Sequence, residues 1–151
     1  MDAKGTPLAR VTVGDEFFVR LRVRATSRER LPQVAAVDLL PAGVEPVLEL
    51  QPAADSSTPD ADPATARQRG AAGALPVGVT DKSDWSPDHV DVREDRLILY
   101  GTFGKSAGTF VYRVRANNPG VFTVPPAFAE GLYDRTVVGS SRAGSLEVVK
   151  K

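Results

Sequence analysis

The strongest constraint on the fold is an alternation of apolar and polar residues in the segment DEFFVRLRVRA, residues 15–25. Apolar residues occupy every second position, namely Phe17, Val19, Leu21 and Val23. The positions between them are mostly arginine, namely Phe18, Arg20, Arg22 and Arg24. Because successive side chains of a strand point to opposite faces, this segment predicts a strand with one apolar and one mostly basic face. A strand that is buried on one face only is typical of an antiparallel sheet.

Similar short patterns recur along the chain, and no long amphipathic helix lies between them. The further predicted strands cover residues 34–40, 47–50, 90–92, 97–100, 110–115, 121–124 and 145–150. This pattern predicts an all-β fold, an antiparallel immunoglobulin-like β-sandwich of about seven strands. We interpret residues 1–151 as a single domain, because the length is usual for one.

Two segments between the strands contain turn residues. NNPG, residues 117–120, has a proline and a glycine in the order that turns prefer, and predicts a hairpin between its flanking strands. GTFGKSAGTF, residues 101–110, is too short between Gly101 and Lys105 to match a phosphate-binding loop. We therefore interpret it as a β-turn between Tyr100 and Phe110.

The segment from residue 51 to about residue 85 has a different composition. It is rich in Ala, Pro, Asp, Gly and Ser, and it lacks aromatic residues before Trp85. Such a segment cannot bury enough apolar surface to offset the entropy lost on ordering, so it predicts a long flexible loop inserted into the sandwich.

Composition excludes several classes of function. Lys and Arg number 19, Asp and Glu number 19, and there is no cysteine. A balanced charge disfavours nucleic acid and gives no basic anchor for an anionic membrane surface, so we expect neither partner. Without cysteine the chain cannot contain a disulfide, a thiolate nucleophile or a zinc–cysteine site.

Candidate catalytic and metal-binding chemistry is sparse. His89 is the only histidine, and a surface role is expected for it. A group of acidic residues does not have the spacing of an EF-hand loop, so strand-end turns are favoured over calcium. The acidic residues are Asp81, Asp84, Asp88, Asp91, Glu94 and Asp95. No nucleophile with a base and an orienting group is visible, and we expect no catalytic residue, no metal and no cofactor.

Trp85 leaves two interpretations open. It is either a platform that stacks on a sugar, or a ring that packs across the end of the core, which is the commoner role in a sandwich. The nearby Arg93, Asp95 and Arg96 are expected to form ion pairs at the rim.

The segment PPAFAEGLYDRTVV, residues 125–138, places two large side chains, Leu132 and Tyr133, beside a glycine at the tip of a loop. A loop that only closes a turn does not need them. An aromatic ring beside an aliphatic side chain is suited to covering a reactive group from water and amines. The alternative is that both side chains fill the interior of their own sandwich.

The segments DHVDVREDRLILYGTF, residues 88–103, and YRVRANNPGVFTVPPAFAEGLYD, residues 112–134, resemble the C-terminal macroglobulin-like domain of bacterial alpha-2-macroglobulins. VGDEFFVRLRV and VAAVDLLPAGVEPV are also similar to that family, so the resemblance covers most of the chain outside 51–85. It implies a macroglobulin-like β-sandwich that is the final domain of a much longer periplasmic protease trap, which is usually anchored to the inner membrane.

The resemblance also implies a role for the loop tip. In the family, the final domain packs against a domain with an internal thioester, which a cysteine and a glutamine elsewhere in the parent form. Leu132 and Tyr133 correspond to the pair that covers this bond until a protease cuts the parent. Pro125, Pro126, Glu130 and Gly131 would form the supporting loop.

The implied partners are neighbouring domains of the parent, especially the thioester domain, and target proteases reached through the parent. The implied role is not enzymatic. The alternative function is a stand-alone adhesion or carbohydrate-binding module that uses Trp85.

Overall fold

The computed structural model describes residues 1–2, 4–48 and 83–151 of the chain, and within them all regular structure is β. The strands are β1 Arg10–Thr12, β2 Glu16–Val23, β3 Arg30–Leu39, β4 Val44–Pro46, β5 His89–Val92, β6 Arg96–Gly104, β7 Gly108–Ala116, β8 Gly120–Val124, β9 Phe128–Gly131, β10 Val138–Ser140 and β11 Gly144–Val149.

These strands form three sheets, with the orders β1-β11-β8, β10-β9-β3-β6-β5 and β2-β7-β4. Every pairing is antiparallel except that of β1 with β11. The predicted all-β sandwich is therefore confirmed. The described residues form more than the seven or so predicted strands, because strands of three or four residues, such as β1, β4 and β10, are too short to show an alternation.

The alternation in β2 corresponds to the two faces of its sheet. β2 pairs with β7 without a break, from Glu16 opposite Arg115 to Val23 opposite Gly108. Phe17 is buried, whereas Arg20 and Arg22 are exposed.

The predicted hairpin at residues 117–120 is wrong. β7 and β8 do flank this turn, but they lie in different sheets. The turn is bonded instead to the segment before β4, because the Asn117 N–H donates to the Gly43 carbonyl oxygen at 2.8 Å. Turn residues reveal where the chain changes direction, and they do not reveal which strand becomes the partner.

Two other connections differ in detail from the predictions. The turn predicted between Tyr100 and Phe110 is shorter, since β6 continues to Gly104, and it links two sheets. The strand predicted at 47–50 lies earlier, at β4. Residues 49 and 50, like residues 51–82 of the predicted loop, lie outside the described residues.

The core lies between the sheets and is centred on β6 and β7. Leu97, Leu99, Phe110 and Val114 are fully buried. Trp85 packs against this cluster, as predicted, with its ring edge-on to Phe103 and Phe110 at 5.4 Å and 6.5 Å between centroids. Its indole N–H donates to the Thr102 carbonyl oxygen at 3.1 Å, so the ring closes the core and is not a free platform.

A polar pair is buried within this core. The Tyr112 hydroxyl donates to Asp38 Oδ2 at 2.6 Å, and both residues are buried. Burial raises the pKa of the Asp38 carboxyl, and the hydrogen bond from Tyr112 offsets this only in part. Burial and the neighbouring Asp38 also raise the pKa of Tyr112 well above its usual value.

The interpretation of residues 1–151 as one domain stays a prediction. No helix in the described ranges has the length and apolar character that crossing a membrane would require.

Candidate functional site

The candidate site is the tip of the hairpin formed by β9 and β10. The strands pair from Val138 opposite Glu130 to Ser140 opposite Phe128. Two backbone hydrogen bonds fold the tip: Gly131 N–H to the Val137 carbonyl oxygen at 2.9 Å, and Val137 N–H to the Asp134 carbonyl oxygen at 3.1 Å. The tip is therefore a closed turn and not a loose loop.

Position 131 has to be glycine, because the turn brings Asp134 and Val137 too close for a side chain there. A Cβ at this position would lie 2.6 Å from the Asp134 carbonyl oxygen and 3.1 Å from the Val137 Cβ. Real Cβ atoms do not approach backbone that closely, so a larger residue would force the turn to open.

A side-chain network fixes the second half of the tip. Asp134 Oδ1 accepts from the Thr136 N–H at 3.1 Å and from the Thr136 hydroxyl at 2.6 Å. Asp134 Oδ2 lies 3.2 Å from the Arg28 guanidinium. The two bonds from Thr136, with a smaller contribution from Arg28, lower the pKa of the Asp134 carboxyl.

The central strand of the five-stranded sheet holds the first half of the tip. The Leu132 N–H donates to the Gln33 carbonyl oxygen at 2.9 Å. Gln33 lies at an irregularity in the pairing of β3 with β6, and its φ is +55°. A positive φ is uncommon for a residue other than glycine, and here it belongs to the residue that anchors the tip.

Both side chains at the tip point outward. Tyr133 is 82% exposed and Leu132 is 47% exposed, so neither fills the interior of the sandwich. Phe128 and Val138, on the two strands of the same hairpin, are also exposed large hydrophobic residues. Exposed apolar side chains concentrated on one element are typical of an interaction surface.

The predicted supporting residues do not all lie beside the tip. Gly131 is part of it, and Glu130 is exposed on the adjacent strand. Pro125 and Pro126 lie at the other end of β9, where the chain crosses from β8 to the five-stranded sheet. Ser141 closes that end through its bonds to Ala127, at 2.9 Å and 2.8 Å.

The anchors Arg28, Gln33 and Thr136 are not among the residues predicted from the sequence. Asp134 followed two residues later by Thr136 is a spacing that turns use, and this signal was available. Arg28 and Gln33 are far away along the chain, and no local pattern indicates their contact with the tip.

The other candidate residues show little functional chemistry. Arg93 pairs with Asp91 at 3.1 Å and Arg96 pairs with Asp95 at 2.6 Å, which confirms the expected ion pairs. His89 is exposed and lies beside Tyr100. In the part of the chain that the structure describes, no three His, Cys, Asp or Glu side chains gather as a metal site would need. Asp81 lies outside that part.

Comparison with known proteins gives a family match that includes Leu132 and Tyr133. The model of the family described as Bacterial Alpha-2-macroglobulin MG10 domain matches residues 1–135. The chain is similar to the alpha-2-macroglobulin homolog of Yersinia pestis, at 38% identity over 138 residues. That alignment covers 90% of this chain and 7% of the relative.

Two solved structures of Escherichia coli alpha-2-macroglobulin share the fold. One spans the residues from domain MG7 to the C-terminus, and it matches 99% of this chain and 22% of its own with a TM-score of 0.64 at 25% identity. The other was activated by porcine elastase, and it matches 95% of this chain and 12% of its own with a TM-score of 0.63 at 25% identity. The chain thus spans a small part of each of these proteins.

Proposed function

Because the chain belongs to the bacterial alpha-2-macroglobulin MG10 domain family, we propose that it is the C-terminal domain of a protease trap and covers a thioester on a neighbouring domain. Leu132 and Tyr133 form the cover. The chain has no cysteine, so the cysteine and glutamine of the thioester lie elsewhere in the parent.

The observation that carries the proposal is the exposed tip. An aromatic ring that is 82% exposed leaves a large apolar area in water, while the turn below it is held by backbone bonds to Gln33 and Val137. Burying such a ring against a neighbour contributes roughly 2–3 kcal/mol. A rigid turn loses little further entropy on docking, so most of that contribution remains available to hold the cover closed.

The chemistry of a thioester explains why such a cover is needed. The bond survives only if water and amines are kept from its carbonyl carbon, and a flat ring with an aliphatic neighbour excludes them with few rotatable bonds. When a protease cuts the parent, movement of the domains would withdraw the tip and expose the bond. The role of this chain is therefore mechanical and protective, and not enzymatic.

The comparisons support both the position and the trigger. The E. coli structure that runs from domain MG7 to the C-terminus contains the match to this chain, which supports a place late in the parent. Activation of the other E. coli protein by elastase supports a protease as the trigger. The partners are then the thioester domain and, through the parent, target proteases, in a periplasmic protein anchored to the inner membrane.

The test is inactivation of the intact parent by methylamine. Tyr133→Gly removes the ring, Tyr133→Phe keeps it, and Val121→Ala is a control at another exposed hydrophobic residue, which lies in β8. We expect Tyr133→Gly to raise the inactivation rate by about tenfold or more, since each 1.4 kcal/mol of lost cover is about a factor of ten. Tyr133→Phe and Val121→Ala should stay near the original rate, and an unchanged rate for Tyr133→Gly would overturn the proposal.

A further inference from the structure

β2 is an edge strand among the residues that the structure describes. There it pairs with β7 on one side only. On its other side, the Phe18 N–H donates to the Met1 carbonyl oxygen at 2.9 Å, and the Met1 amino group donates to the Phe18 carbonyl oxygen. Backbone groups of a strand alternate in direction, so those of Arg20 and Arg22 point the same way as those of Phe18. Within the described residues, no backbone partner is found for them.

A groove of about 700 Å³ runs along this free edge. All residues from Val19 to Arg24 line one wall, and the hairpin from Phe128 to Ser140 contributes to the other. Val19, Leu21 and Val23 point toward the core but are only half-buried, because the sandwich is open between these walls. The floor is completed by core residues of β3 and β6 such as Val34, Ala36 and Phe103.

The charged side chains that line the groove are almost all cationic. They are Arg20, Arg22, Arg24, Arg28, Arg142 and the buried Asp38. The chain as a whole is neutral, so this is a local concentration of positive charge. Arg28 is paired with Asp134, whereas Arg22, Arg24 and Arg142 have no ion pair within the described residues.

Charged residues on an edge strand also protect a sheet from unwanted pairing. That role accounts for arginines on the outer face of β2. It does not account for the half-buried Val19, Leu21 and Val23, whose apolar surface the sandwich leaves open beside them, or for the strand-like pairing of Met1 with Phe18 on this edge.

We propose that this groove binds an extended peptide segment with alternating apolar and acidic residues, which adds to β2 as a further strand. Main-chain bonds to Arg20 and Arg22 give the affinity, as in other cases of strand addition. Apolar side chains of the segment pack against the half-buried Val19, Leu21 and Val23. Its carboxylates meet Arg22 and Arg24, since the Arg20 guanidinium is already bonded to Met1 and Gly5. From Val19 to Val23 the edge spans about 13 Å between Cα atoms, which fits roughly five residues of the segment. The tip residues Leu132 and Tyr133 do not line the groove, so this site is distinct from the proposed cover, although Arg28 and Thr136 border both.

The direct test uses a capped seven-residue peptide of alternating glutamate and valine, titrated into the isotopically labelled chain while its amide NMR signals are followed. Binding should shift the amides of β2 and of the β9–β10 hairpin, and should weaken as salt is added. A peptide with lysine in place of glutamate, and one with N-methylated amides on its bonding edge, should both bind at least about fivefold more weakly. Equal binding by either peptide, or no shift at millimolar peptide, would overturn the proposal.

Two variants at Arg22 distinguish the contribution of the side-chain charge to peptide affinity from that of the backbone hydrogen bond. Arg22→Gln keeps the edge N–H and removes the charge, so peptide affinity should fall by about threefold at low salt and little at high salt. Arg22→Pro removes an N–H that faces the edge and not β7, and should weaken binding by about fivefold at any salt. Arg115→Gln is the control outside the groove and should leave affinity unchanged. Should Arg22→Pro fail to fold, the N-methylated peptide tests the same bond on the unmodified chain.

Discussion

Replacing Gly131 by alanine is expected to distort the tip without touching Leu132 or Tyr133. The new Cβ would lie 2.6 Å from the Asp134 carbonyl oxygen, which is 0.4 Å closer than the 3.0 Å below which something must shift. The atom it meets is backbone, which cannot swing aside as a side chain can. Overpacking of this kind costs about 1–3 kcal/mol.

Gly139, in β10 of the same hairpin, provides the matched control. A Cβ there meets no atom of the described residues within 4 Å. Neither glycine has a positive φ, so the loss of glycine freedom in the unfolded chain is the same for both substitutions. Alone, that loss stabilises by about 0.4–1 kcal/mol. Gly139→Ala should therefore be neutral or slightly stabilising, and the difference between the variants isolates the clash.

Urea denaturation gives the free energy of unfolding of both variants, and amide hydrogen exchange locates the change. In Gly131→Ala, exchange of the Val137 amide, which is bonded to the Asp134 carbonyl oxygen, should accelerate by roughly 5- to 150-fold, the range that corresponds to 1–3 kcal/mol. In Gly139→Ala, exchange of the Val137 amide should keep its original rate. If the two variants matched in both measurements, the closed geometry of the tip would be refuted.

Three further predictions concern the core. Asp38→Asn keeps an acceptor for Tyr112 and removes the charge. Because the folded-state pKa of Asp38 is raised, its contribution to stability is present at low pH and is lost as the pH rises through that pKa. In urea titrations, the free energy of unfolding of Asp38→Asn relative to the original chain should therefore increase with pH, by about 1.4 kcal/mol per unit of pKa shift. A pH-independent difference would contradict this. Trp85→Ala loses two edge-on ring contacts and a hydrogen bond and should lower the free energy of unfolding by about 3 kcal/mol, and a loss below 1 kcal/mol would argue against its core role. Gly43→Ala would make a Cβ clash with the Phe122 ring and should destabilise by about 1–3 kcal/mol, whereas unchanged stability would mean that this ring moves freely.

The strands that could be predicted from sequence are those long enough to show a face. β2 alternates over eight residues, and the apolar run in β6 lies in the middle of its sheet. Only the second half of the central strand β3 was predicted, as residues 34–40, and it shows no alternation because Ala35 and Val37 on one face and Val34 and Ala36 on the other are all buried. Nothing in the local sequence around Asp38 indicates that its carboxylate accepts a hydrogen bond from Tyr112.

The tip could be located from sequence, but its orientation could not. Two large residues beside a glycine suit either an exposed tip or one folded inward. The outward orientation depends on two residues about a hundred positions away along the chain. The Gln33 carbonyl oxygen accepts from the Leu132 N–H, and Arg28 pairs with Asp134. The partner of β8 was missed for the same reason: it is β11, near the end of the chain, and not its neighbour in sequence.

The most direct test of the central claim is to place a photoreactive benzoylphenylalanine at Tyr133 in the intact parent. The side chain is exposed in this chain alone, so a cross-link can form only with whatever lies against it in the parent. We expect a cross-link to peptides that flank the thioester, lost after protease cleavage, and none from the same probe at Val121. A probe at Tyr133 that forms no cross-link in the uncleaved parent would contradict the claim that a neighbouring domain receives this tip.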